Sequence, residues 1–115
     1  MLTARLHLWV DIPAIPASAG IYRLRVVTTD AIYIGSSVNM QRRCRDWHKI
    51  ANNSLATIGT KHITRMVHRS LAKDWVFEVL EETPGLSVVE LRALELQTIK
   101  DSAHLGDLLL NTRLK

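Results

Sequence analysis

Residues 20–47, GIYRLRVVTTDAIYIGSSVNMQRRCRDW, constrain the fold more than any other stretch. Two runs of β-branched and aromatic residues, 21–27 and 31–34, are separated by Thr28-Thr29-Asp30, which predicts an antiparallel hairpin. Each run carries a tyrosine next to an Ile and a Gly: Gly20-Ile21-Tyr22 in the first, Tyr33-Ile34-Gly35 at the end of the second. Strand side chains alternate in direction, so each tyrosine has a fixed facing. Arg23 and Arg25 alternate with apolar residues, which predicts one apolar and one basic face. A helix follows over about 39–51, with Asn39 as N-cap and Met40, Cys44, Trp47 and Ala51 as its buried stripe. At about 100° per residue, Arg43 lies about 40° from Trp47, while His48 lies about 140° from Arg43.

The remaining elements surround this unit. Residues 1–19 read as a covering segment in which Trp9 packs on the core, and Pro13 and Pro16 disfavour regular structure after Asp11. Residues 52–59 read as a loop and 61–73 as a second helix. There Ile63, Met66, Val67 and Leu71 form the apolar face, and His62, Arg65, Arg69 and Lys73 a basic stripe. Residues 75–80 alternate as a third strand, and Pro84-Gly85 makes a turn. Ser87 with Glu90 three residues on is a capping-box signature for a last helix over about 88–100. Val88, Leu91, Leu94 and Ile99 mark its buried side, and Glu95 projects into the middle of them. A carboxylate there is costly unless it is paired or binds a cation. The apolar run 108–110, before Asn111, is expected to pack back on the sheet. The pattern predicts an α+β fold: a small three-stranded antiparallel sheet flanked by about three helices.

Length and charge bound what such a fold can do. A chain of 115 residues reads as one domain with its own core, and no apolar run reaches the length of a bilayer span. One cysteine, Cys44, excludes an internal disulfide and multi-thiolate zinc sites, and a reducing, cytoplasmic setting is expected. The formal net charge of +4 is unevenly spread. Residues 41–74 hold eight Lys and Arg against two acids, whereas 75–107 hold two against seven. A basic middle beside an acidic end fits a polyanion-binding face with a solvated back.

The two triplets, with Arg43 on the following helix, resemble the GIY-YIG nuclease family, including the N-terminal nuclease domain of the excinuclease C subunit. The similarity extends to His62 at the start of the second helix, to the strand 75–81, to Glu95 with Ile99 four residues later, and to Asn111. The resemblance implies a metal-dependent endonuclease acting on DNA. Glu95 would hold one Mg²⁺ (or Mn²⁺), Arg43 would stabilise the phosphate, and Tyr22 or Tyr33, or a histidine, would be the general base. His62 joins the implied catalytic set, and Arg42, His48, Arg65, Arg69 and Asn111 the substrate-binding set. One position departs from the family: many members have a histidine four residues after the helix arginine, and this chain has Trp47. His48 falls one residue late and is expected to contact phosphate. Two other readings stay open, a DNA-binding module of the same fold without cleavage, and a subunit acting through a protein partner. The elements leave little length for a DNA-recognition domain, so specificity is expected from a homodimer, a separate partner or the structure of the DNA.

Overall fold

The computed structural model of the chain describes residues 2–5, 12–52, 75–106 and 109–110. Among them β1 (Leu2–Arg5), β2 (Gly20–Val26), β3 (Ile32–Ser37) and β4 (Trp75–Glu82) form one antiparallel sheet in the order β1-β4-β2-β3. Two α-helices are described, α1 (Met40–Asn52) and α2 (Val88–His104). The α+β expectation holds, with one correction. The sheet has four strands, because β1, in the segment read as a cover, pairs along β4 from Leu2↔Val79 to Arg5↔Val76. A strand of four residues is too short to show a clear period of two. The expected helix over 61–73, the loop before it and Trp9 lie outside the described residues.

The sheet is buried on both faces, one cluster on each. On one face Tyr22, Leu24, Val26, Phe77 and Val79 pack against Met40, Cys44 and Trp47 of α1, with Ile12, Ile15 and Leu110. On the other, Ile21, Ile32 and Ile34 pack against Leu91 of α2 and Leu109, with Leu94 and Ile99 at the margin. Alternation along β2 explains the division, since Tyr22, Leu24 and Val26 face α1 while Ile21 and the two arginines face α2. A register shift between Ile21 and Tyr22 makes Leu80 an extra residue of β4, and Leu80 turns toward the α2 side.

The face expected to be basic is instead neutralised. Glu78 is 5 % exposed. Its Oε1 accepts from Arg23 Nε at 2.8 Å and Arg25 Nε at 3.3 Å. Arg25 also faces Asp30, at 3.5 Å. Asp30 occupies the left-handed turn position, φ 58°, a conformation Asp tolerates better than most residues.

Segment 12–19 has a definite task in the described part. Ser18 and Pro16 carbonyls accept from the first amides of α1, Met40 N–H and Gln41 N–H, each at 3.0 Å. The Gln41 side-chain amide reaches back to the Pro13 and Ile15 carbonyls, both at 3.2 Å. The helix end is thereby closed by backbone carbonyls. At the far edge Leu110 N–H donates to the Ile32 carbonyl at 2.7 Å, so the apolar run near the C-terminus packs back on the sheet as expected.

Replacing Glu78 by Ala removes the carboxylate that Arg23 and Arg25 share, while Asp30 stays beside Arg25. Both arginines keep partial solvent access, so the expected loss is at the low end for a broken buried pair, about 2–3 kcal/mol. Denaturant unfolding checks it, and a loss below about 0.5 kcal/mol, the range of a surface pair, would mean solvent already carries the arginine charge.

Candidate active site

The two glycines of the hairpin explain why its tyrosines are fixed. Tyr22 and Gly35 are cross-strand partners. A Cβ at Gly35 would lie 2.5 Å from the Tyr22 hydroxyl oxygen and 2.6 Å from Cζ, so the ring lies across the backbone where a side chain would otherwise stand. Gly20 is closed in the same way, and a Cβ there would overlap the Glu81 carbonyl oxygen and the end of Met40. The Tyr22 ring stacks on Phe77 with centroids 4.7 Å apart, and its hydroxyl oxygen accepts from Trp47 Nε1–H at 3.1 Å. Tyr33, two pairs further along and on the same face, meets the Trp47 ring edge-on at 5.8 Å.

The turn from β3 into α1 sets Arg43. Ser37 Oγ accepts from Asn39 N–H at 3.1 Å and donates to the Asn39 carbonyl at 2.9 Å. Asn39 Oδ1 accepts from Arg42 N–H at 3.0 Å, which bears out the N-cap reading. Arg43 then leaves the first turn half-buried, close enough to the Tyr22 hydroxyl for its charge to pull that phenol's pKa down. On the other side of the sheet edge, the capping box of α2 is complete. Glu90 N–H donates to Ser87 Oγ at 3.2 Å and Ser87 N–H to Glu90 Oε1 at 3.1 Å. That start point sets which α2 residues face the β3 edge.

The result is a cleft of about 480 Å³ beside β3 with α1 and α2 on its two sides. Tyr22, Tyr33, Arg43 and Glu95 all line it, together with Ser36, Arg92 and the aliphatic Val38, Val88, Leu91 and Leu96. Both phenols are held above their ordinary pKa of 10.0, first by burial. For Tyr22 the hydrogen bonds and charge of Trp47 and Arg43 pull the other way; for Tyr33, Tyr22 and Glu95 add to the rise and Arg43 opposes it. The phenols differ in access: Tyr22 is 1 % exposed, whereas Tyr33 is only half-buried and open to the cleft. Cys44 stays out of this chemistry. It is buried in the core on the α1 side, and burial pushes its thiol up to about 12, so it is neutral at pH 7.

Of the residues singled out in the sequence, Tyr22, Tyr33, Arg43 and Glu95 are brought together. Arg42 lies just outside, lining a smaller adjoining hollow with Asn39, Arg43 and Asp46. His48 is half-buried on α1 and does not line either hollow. His62, Arg65, Arg69 and Asn111 lie outside the described residues. Two readings of α2 need correcting. Val88, assigned to the buried side, is 57 % exposed, because at its position the helix borders the open cleft. The acidic end is not simply a solvated back, since α2 forms one side of the cleft. Arg92 and Ser36 were not singled out. Arg92 stands three residues before Glu95 and so shares its face, a signal available from spacing once Glu95 is chosen.

Glu95 has no ion pair or hydrogen-bond partner among the described residues. Nor do the described residues include a group of three His, Cys, Asp or Glu able to hold a metal. A lone carboxylate with hydroxyl neighbours suits a hard cation that keeps most of its water; it does not make a zinc-type site.

Phenols, a guanidinium and an unpaired carboxylate thus meet at one sheet edge. The family model of the GIY-YIG catalytic domain matches residues 18–106, and the chain belongs to that family, one of nucleases. No curated protein and no solved structure gives a significant match. Among the described residues no helix is long and apolar enough to cross a membrane.

Gly35→Ala is expected to push the Tyr22 ring off Trp47 and cost about 2–3 kcal/mol, the range for overpacking a close-packed site. Trp47→Phe keeps an aromatic ring but removes the donor and leaves a void in the core, at a cost of about 2–4 kcal/mol. Chemical denaturation of both variants checks these values.

Proposed function

We propose that this chain is an endonuclease that hydrolyses phosphodiester bonds in DNA with the help of one divalent cation. The observation that carries the reading is the convergence of Tyr22, Tyr33, Arg43 and Glu95, from four elements and both sides of the sheet, on one cleft. Their chemistry divides naturally. Arg43, anchored at the first turn of α1 and standing beside the Tyr22 hydroxyl, offers its donors to a nonbridging phosphate oxygen. Its planar fork stabilises charge that grows in the transition state. Tyr22 is enclosed, and its oxygen already receives Trp47 while standing beside the Arg43 charge, so it helps to orient Arg43. Tyr33 is the phenol that reaches the open cleft, which makes it the acceptor of the proton from the attacking water. Glu95 supplies the carboxylate for Mg²⁺ or Mn²⁺. When bound, such a cation supplies positive charge that offsets the phosphate and lowers the pKa of groups beside it.

The raised phenol pKa gives a definite pH dependence. Burial keeps Tyr33 protonated at pH 7, so the fraction able to accept a proton rises about tenfold per pH unit while the pH is below its pKa. Cleavage under single-turnover conditions should therefore rise with pH, with a log–log slope near one from about pH 6 to 9. Tyr33→Phe should flatten that slope and lower the rate; a variant that keeps the slope would move the base to another group.

The first test is nicking of supercoiled plasmid with Mg²⁺ and with EDTA. Cleavage that needs the metal is expected, and Glu95→Gln should abolish it while leaving the melting curve intact. Arg43→Lys should lower the rate by about 10²-fold, the usual cost of one transition-state donor. DNA binding with no metal-dependent cleavage would overturn the enzyme reading in favour of a binding module.

A further inference from the structure

The cleft holds more than hydrolysis at a single phosphate requires. Arg92 lines it from α2, the side opposite Arg43. It is exposed, and it makes no ion pair among the described residues, although Glu95 stands three positions away at ordinary pairing distance for a helix. Its neighbours on the same face, one turn before and one turn after, are Val88 and Leu96. Both line the cleft, and both are 57 % exposed. A guanidinium flanked by two open aliphatic side chains matches a nucleotide: a charged phosphate next to the apolar edge of a sugar or base. The acidic charge around α2 makes an accidental anion site less favourable, which leaves geometry as the reason for an arginine aimed into the cleft.

Resting on the nuclease reading above, we propose that Arg92, Val88 and Leu96 form a second subsite, which takes the nucleotide next to the scissile phosphate. The strand then crosses the cleft from α1 to α2. Its cleaved phosphate lies at Arg43 and Glu95, and the neighbouring phosphate lies on Arg92, with sugar or base against the two aliphatic side chains. Arg92 acts in binding rather than in the chemical step, because the guanidinium that meets the transition state is Arg43.

The test uses the full chain with Mg²⁺ and a fluorescent DNA duplex, measuring kcat and KM at several salt concentrations. Arg92→Ala should raise KM about tenfold with kcat within twofold, and should reduce the salt slope by about one phosphate contact. Arg92→Lys should recover most of the loss. Val88→Ala combined with Leu96→Ala should raise KM about threefold without changing the salt slope. Lys100→Ala removes one exposed positive charge from the same helix outside the cleft, and should behave as the parent. Alanine is a good helix former, so these exposed positions should keep their melting curves. If KM and salt slope in Arg92→Ala match those of Lys100→Ala, or if only kcat falls, the subsite is wrong while the nuclease stands. If the parent chain cleaves nothing, the nuclease reading fails first, and equilibrium binding of the same variants to the duplex still decides whether Arg92 contacts phosphate.

Discussion

The structure depends on one contact, the Tyr22 ring lying across Gly35. Because the two residues are cross-strand partners, the contact fixes the register of β2 against β3. A slip of one residue would turn Tyr22 to the α2 face and bring Ile21 and the arginines against α1. The missing side chain at Gly35 is what lets the phenol reach Trp47 and Arg43. The same ring stacks on Phe77 of β4, so the hairpin, the central strands and α1 are tied at one point. The cleft is thus a continuation of the core: Tyr22, which lines it beside Arg43, is among the most buried of the described residues.

Arginine is used in two ways, and burial of a counter-charge separates them. Arg23 and Arg25 share the Glu78 carboxylate on the α2 face, so their charge is spent within the sheet. Arg43 and Arg92 have no carboxylate within ion-pair distance among the described residues, and both line the cleft. The helix end adds little to this field. The first amides of α1 are taken by Ser18, Pro16 and Asn39, which leaves guanidinium groups as the main donors available to an anion. A net-charge count over the sequence cannot tell these cases apart, since it counts Arg23 and Arg92 alike.

What was legible in the sequence followed from local rules. The hairpin, the Asn39 cap, the Ser87–Glu90 box and the stripe Met40, Cys44, Trp47 depend on neighbours within a few residues, and each is found. The Ala51 side chain lies outside the described part. Glu95 stood out because a carboxylate broke an apolar pattern, and it does line the cleft with Tyr22, Tyr33 and Arg43. What was not legible needed distant partners. The strand β1 is too short to signal itself and exists through pairing with β4. The basic face of β2 disappears only when Glu78, more than fifty positions away, is placed beside it. Arg92 looked like one charge among many until the helix phase put it beside Glu95.

Trp47 shows how a departure from a family pattern can be read physically. In this fold its position points at the Tyr22 hydroxyl, and what the buried phenol needs there is an N–H donor. An indole meets that need as an imidazole could, and its larger ring also fills the core and meets Tyr33 edge-on. An indole cannot accept a proton at any ordinary pH, however, because its nitrogen lone pair belongs to the ring. A Trp at this position therefore separates two tasks that a histidine could combine, orienting the phenol and moving a proton. Under the nuclease reading the second task passes to a group that faces the cleft. Tyr22 is closed off and already accepts from Trp47. Glu95 is reserved for the cation. In that reading Tyr33 is the oxygen that remains among the described catalytic candidates, and it lines the open cleft.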